Sequence, residues 1–249
     1  MTADKNPGMK KFAGLLFLVA LSFPFAELSG QIKVESQIDI GDNELSDGLY
    51  FLNSDFGHYE QKYWFAETGL QFGLHQPQNV FLNSWYLTSG AKVPAGKYII
   101  IVGLEYDWTA FAPDLREVNW ILFTGTSFNH WELTLGSNRR VYRLSNKAAR
   151  EEANKEFKDS FIEEWNFMYS AGYRLKPREN KWNIMFTVTD FDRFLIQQES
   201  NPMINARFDY RINESLNLYS ELWYKSSGLL NIKVDYFGTF IRIGAIWQL

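Results

Sequence analysis

The chain has 249 residues, no cysteine, and a 17% aromatic content that is high beside an ordinary 46% hydrophobic total. The missing cysteines exclude disulfides, thiolate metal sites, a cysteine nucleophile and a lipoprotein anchor. A net charge of -4 and a pI near 5.5 argue against a nucleic-acid partner. A mean hydropathy of -0.28 argues against a bundle of spanning helices, yet leaves room for a barrel whose strands are half apolar.

The N-terminus reads as an address. Lys10 and Lys11 precede the short apolar run Phe12 to Leu21, the layout of a secretory signal peptide. Met9 is a candidate natural start, with residues 1–8 an upstream extension. Cleavage is expected after Ala26 or, preferably, after Gly30, giving a signal segment over 1–30 and a mature domain over 31–249. An uncleaved anchor is the alternative, although the run is short of the ~20 residues needed to span.

From Gln31 onward the dominant period is two. Every even position from Tyr98 to Trp108 is apolar, while the odd positions include Gly103, Glu105 and Asp107. Residues 204–212 separate cleanly into an apolar and a polar face. Several runs hold this pattern for roughly nine to fifteen residues, against about 5–6 for ordinary strands and ~9–11 for membrane-spanning ones. Twelve strands are expected, over 31–40, 47–54, 61–74, 79–90, 97–110, 117–128, 130–144, 161–175, 180–194, 203–212, 215–225 and 236–249. The second is the least regular, and losing it with a neighbour would leave ten. The connections alternate between short turns (55–60, 91–96, 129, 176–179, 213–214) and mostly longer loops. Short turns on the periplasmic side and long loops outside are the rule for an all-β, antiparallel up-and-down transmembrane β-barrel, which is the fold expected here. A soluble β-sandwich is the alternative.

Aromatic residues gather near strand ends. Trp64, Tyr98, Trp131, Tyr173, Trp182, Tyr210 and Trp247 are expected at one rim, and Trp108, Trp120 and Trp165 at the other, as an interfacial girdle.

The chain closes on Arg242-Ile243-Gly244-Ala245-Ile246-Trp247-Gln248-Leu249. Arg242, Gly244, Trp247 and Leu249 match the polar-x-Gly-x-x-apolar-x-apolar pattern, and the segment resembles the insertion signal of bacterial outer-membrane β-barrels. Leucine stands where phenylalanine or tryptophan is usual. The resemblance implies insertion into outer-membrane lipid by the barrel-assembly machinery. The aromatic-rich domain with its Gln start also resembles small outer-membrane barrels of the Bacteroidota type, a likeness of style that names no activity.

The polar faces supply candidate lumen-lining residues: Glu67, Glu105, Asp107, Glu132, Arg140, Glu164, Arg174, Arg207, Asp209, Arg211, Glu221 and Arg242, with Glu35, Asp39 and Gln71 beside them. Opposite charges inside a narrow barrel should pair. The first expectation is therefore a non-enzymatic structural or accessory barrel with its lumen largely filled by side chains. A passive channel for small polar solutes is the alternative, and an outer-membrane lipid hydrolase a third. The residues two beyond His58, His75 and His130 are Glu60, Pro77 and Glu132, so the Tyr-x-x-His-x-Ser-Asn-Gly pattern of outer-membrane phospholipases is absent. His75 with Ser46 or Asp114 is the one conceivable rim site for a deacylase, and Asp190 with Asp192 the one carboxylate pair suggesting a protease. No catalytic residue is assigned. No phosphate loop, zinc spacing or nucleotide fingerprint appears, so neither metal nor cofactor is expected. Loop 145–160, rich in Ala, Glu and Lys, is expected to form a short helix or lid, and 226–235 a more apolar loop. Both are candidate contacts for another outer-membrane protein. Neither a plug with an energy-coupling box nor a peptidoglycan-binding module is expected.

Overall fold

The computed structural model describes residues 30–43, 50–75, 82–96, 98–112, 115–144, 161–175, 181–191, 203–227 and 235–249. The signal segment, except Gly30, loop 145–160 and most of loop 226–235 lie outside the described residues.

Twelve strands form one closed antiparallel barrel in which each pairs with its sequence neighbours and the last closes on the first. They are β1 (Gln31–Asn43), β2 (Tyr50–Glu60), β3 (Trp64–His75), β4 (Leu82–Ala95), β5 (Tyr98–Ala112), β6 (Leu115–Phe128), β7 (Trp131–Leu144), β8 (Phe161–Arg174), β9 (Trp182–Thr189), β10 (Met203–Arg211), β11 (Leu216–Ser227) and β12 (Asp235–Gln248). Eleven of the twelve reach nine residues or more, the length that a tilted strand needs to cross a bilayer. The start of β1 and the end of β12 lie at the end of the barrel carrying the shorter connections, where the Leu249 N–H donates to the Ile32 carbonyl. This is called the turn end below, and the opposite one the loop end.

The two-residue period turns the wall inside out relative to a soluble protein. Leu122 and Leu135 are 59% and 52% exposed on the outer face, whereas Glu105 and Asn138 are each 2% exposed within. Such a wall is stable only where hydrocarbon replaces water outside and the polar groups find partners inside.

The register also fixes depth. Crossing strands from Trp247 traces the line Val34, Gly57, Thr68, Leu87, Tyr106, Trp120, Arg139 and Trp165. Strands ~4.8 Å apart and tilted by ~40° lift this line by about 3 Å per step. Its eight steps therefore climb about 25 Å, the height of a barrel's apolar band. Trp247 and Trp165, both exposed, thus mark the two edges of the band.

Three strand ends differ by five residues or more from the sequence expectation. β2 continues through residues 55–60, and the chain turns only at 61–63, where the Gln61 N–H meets the Trp64 carbonyl at 2.9 Å. The cause is an inverted pattern: Leu52 and Phe56 point inward while Asn53 and Asp55 point outward. β4 runs on to Ala95 and turns at Gly96, whose φ of 65° suits glycine. β9 is shorter than expected and ends at Thr189.

Candidate functional site: the barrel lumen

Eleven of the twelve candidate lumen residues have described side chains, and each occupies an inward position of its strand. Glu164 pairs in register with Arg140, but its side chain lies outside the described residues. The structure joins many of them into a ribbon along one arc of the wall. Arg242 forks onto Asp39, Nε to Oδ1 at 2.7 Å and Nη2 to Oδ2 at 2.9 Å, and reaches Glu221 at 3.4 Å. Arg207 donates to Glu221 and Asp209, each at 2.8 Å, and lies 3.9 Å above the centre of the Tyr219 ring. The Tyr219 hydroxyl donates to Glu35, and the Gln37 amide lies 2.8 Å from it. His58 bridges Glu35, 3.2 Å from Nε2, and Glu67, 2.7 Å from Nδ1. A ring whose two nitrogens both face carboxylates binds as the doubly protonated imidazolium. Tyr86 completes the series by donating to Glu67.

This ribbon crosses β10, β11, β12, β1, β2, β3 and β4 without a break. Fork geometry and shared acceptors keep the charges against the wall, because each guanidinium is tied to its cross-strand or same-strand neighbour. Elsewhere Glu105 accepts from Thr88 at 2.5 Å, Glu132 pairs with Arg174 at 2.8 Å near the turn end, and Glu117 with Arg140 at 3.2 Å near the loop end. Asp107 stands opposite Asn119, and Arg211 is exposed at the turn end.

The facing arc is different. Between the Glu132–Arg174 and Glu117–Arg140 pairs, β6 to β9 turn Phe123, Gly125, Thr134, Gly136, Ser170, Gly172 and Thr187 inward, all uncharged and mostly small. Several inward glycines carry a neighbour's ring. A Cβ on Gly69 would lie 2.3 Å from Tyr86, one on Gly103 2.4 Å from Phe123, and one on Gly244 2.4 Å from Tyr219. The rings therefore lie flat over glycine instead of standing across the lumen.

Two cavities among the described residues bear on the lumen. One of about 740 Å³ opens at the turn end and is lined by the Arg207–Asp209–Glu221 group, by Arg174 and Arg211, and by Lys33 and Lys181. The other, about 310 Å³, lies deeper among Phe123, Phe191, Met203, Trp223, Phe240 and Arg242. Trp223 lines both, stacked on Phe240 at 5.5 Å with an 8° interplanar angle. The side chains thus leave an open vestibule followed by an aromatic-walled chamber, which departs from the expectation of a filled lumen.

The sequence does not mark out His58, because residues 55–60 read as a turn, nor Tyr219, which reads as an apolar ring. Lys33, Lys92 and Lys225 also stand at inward positions. Of the C-terminal signal, Arg242 and Gly244 point inward, whereas Trp247 and Leu249 face out. Tyr98, Trp131, Tyr173, Trp182, Tyr210 and Trp247 are all exposed outward near the turn end, and Trp64 is half-buried there. Trp131 packs edge-on against Tyr173. Ser46, Asp114, Asp192 and the His75 side chain lie outside the described residues. Asp190 is engaged in structure, accepting from the Tyr169 N–H at 2.5 Å. Among the described residues no group of three or more His, Asp or Glu side chains is placed to hold a metal ion.

No family model matches the chain, and no curated protein matches it. Solved structures do. A structure described as "KdgM porin" aligns with a TM-score of 0.54 over 87% of this chain and 99% of its own, at 8% identity. A structure of the NanC porin aligns with a TM-score of 0.50 over 87% of this chain and 100% of its own, at 9% identity. The fold is that of a bacterial outer-membrane β-barrel, and the similarity extends over nearly the whole of both porins.

Proposed function

We propose that this protein is a passive outer-membrane channel for small polar solutes. The observation that carries the reading is the 740 Å³ vestibule, in whose lining Arg207 is tied to Asp209 and Glu221, and Arg174 to Glu132, so that these charged groups lie along the wall. That both neighbours above are called porins adds support. With the five cations Lys33, Arg174, Lys181, Arg207 and Arg211 against the four carboxylates Glu132, Asp209, Glu214 and Glu221, the vestibule is close to neutral. Its ion selectivity should be weak. In the same reading the segment 1–30 is cleaved on export, and Arg242, Gly244, Trp247 and Leu249 present the closing strand to the assembly machinery.

The test is conductance of the refolded protein in a planar bilayer, with folding checked by heat-modifiable gel mobility. Stepwise conductance is expected. Arg211→Glu with Lys181→Glu should shift selectivity toward cations, and Thr134→Trp, which fills the inner chamber, should lower the step size. A folded barrel that stays silent would sink the proposal.

A further inference from the structure

The outer face of β1 and β2 carries a carboxylate in the middle of a mostly apolar wall. Asp55 is exposed there, its Oδ1 accepting from the Ser36 hydroxyl at 2.6 Å and its Oδ2 from the Asn53 amide at 3.2 Å. Depth makes this notable. On the climbing line Gly57 lies two steps above Trp247, and Asp55 is two residues farther toward the loop end. At ~3.3 Å per residue and a ~40° tilt, the carboxylate lies about 11 Å above the Trp247 edge of a ~25 Å band. Ser36, paired with it in register, lies about 8 Å above that edge by the same geometry. The cluster is therefore close to the middle of the hydrocarbon. Lipid tails offer no hydrogen bonds, and polar groups at that depth face protein or water in stable membrane proteins.

We infer that this patch is the two-fold interface of a homodimer, the β1–β2 face of one barrel packing on the same face of a second copy. Two copies inserted in the same direction are related by an axis along the membrane normal, so each residue meets the partner's face at its own depth. An axis passing between Ser36 and Asp55 brings Asp55 of one copy opposite the hydroxyl of the other, twice over. The Ser36 hydroxyl gives its one proton to Asp55 of its own copy, so the donor across the axis is the second Asn53 N–H, which faces the partner's Asp55 carboxylate in both directions. A single residue type at the axis would instead meet itself, carboxylate against carboxylate. The surroundings allow close approach. Gly57 leaves its outward position open, with only a Thr68 methyl 3.8 Å from where a Cβ would stand. Val34, Ile38 and Leu70, all exposed, frame the polar centre with an apolar rim.

The chain has no cysteine, so single thiols report proximity directly. Full-length protein reconstituted in phospholipid vesicles at high lipid ratio would carry Ser36→Cys, Asp55→Cys or, on the far side of the barrel, Leu135→Cys. Packed sheet faces lie ~10 Å apart, within reach of a short bis-maleimide. The expected result is a covalent dimer from mixed Ser36→Cys and Asp55→Cys proteins, more than from either alone and far more than from Leu135→Cys. Single-molecule photobleaching of labelled protein should show two-step spots, and Asp55→Leu should weaken the dimer about tenfold, as expected for two lost hydrogen bonds in a membrane. Single-step spots at every protein density, cross-linking as efficient from Leu135→Cys, or an Asp55→Leu protein that still dimerises normally would each overturn the inference.

Discussion

Arg242→Met isolates the energetic role of the charged ribbon. The Asp39 and Glu221 side chains beside it are only 4% and 5% exposed. Glu221 keeps Arg207 at 2.8 Å, so the change orphans chiefly Asp39, which loses both of its guanidinium bonds. Removing one partner of a buried pair costs roughly 3–5 kcal/mol, and because Glu221 keeps a cation the lower value applies, about 3 kcal/mol. Making the second change, Asp39→Leu, replaces the pair with two apolar chains beside Trp223 and Phe240. Such replacement is close to neutral, so the double variant should recover about 2 kcal/mol of the loss. Equilibrium urea unfolding in vesicles, followed by the fluorescence of the nine tryptophans, gives all four corners of the cycle. A single-variant cost below about 1 kcal/mol would mean that lumen water already solvates Asp39, and the ribbon would then be only a surface feature.

Other expectations follow from the same wall. His58→Leu leaves Glu35 and Glu67 facing an apolar chain in place of a shared cation, and should lower stability by about 2 kcal/mol in the same unfolding assay, with His58→Lys partly restoring it. Gly244→Val sets a side chain where the Tyr219 ring lies, so the ring must swing into the vestibule. Stability should fall by about 1–3 kcal/mol and the conductance step should shrink, whereas Ala245→Val on the outer face should change neither. Asn129 turns the β6–β7 hairpin with a φ of 50°, so Asn129→Val should cost about 1–2 kcal/mol and Asn129→Gly almost nothing, again read by urea unfolding.

Most of the wall was legible because its two faces differ so sharply. β5 keeps every even, outward position apolar and β10 alternates cleanly from Ile204, and their observed limits lie within two residues of the expected ones. β2 was the exception, and for a physical reason: the alternation that marks membrane strands assumes lipid outside, and Asp55 and Asn53 break that assumption. His58 went unseen with it. β4 reads as ending at residue 90 because Pro94 and Gly96 signal a turn, yet proline is tolerated near a strand's end, and Pro94 pairs in register with Ile99. The charged lumen residues could be collected from the polar faces, but not their partners. Arg242 and Asp39 are 203 positions apart, and only the closure of β12 on β1 brings them into register. The flat rings over glycine were invisible too, since each depends on which residue stands across the neighbouring strand.

In the proposed channel, the division of the lumen into a charged arc and one uncharged between its end pairs would act on a passing solute as a lateral electric field. A field directed across a tube does no work on a charge that moves along it, so it raises no barrier to translocation. It exerts a torque on any dipole that passes, turning the polar edge toward the ribbon and the smoother face toward glycine and threonine. A conduit of this kind sorts by orientation without sorting by charge: a flat molecule with one polar side glides through edgewise, while one of equal size with polar groups all round must drag half of its hydration past a wall that offers little in return.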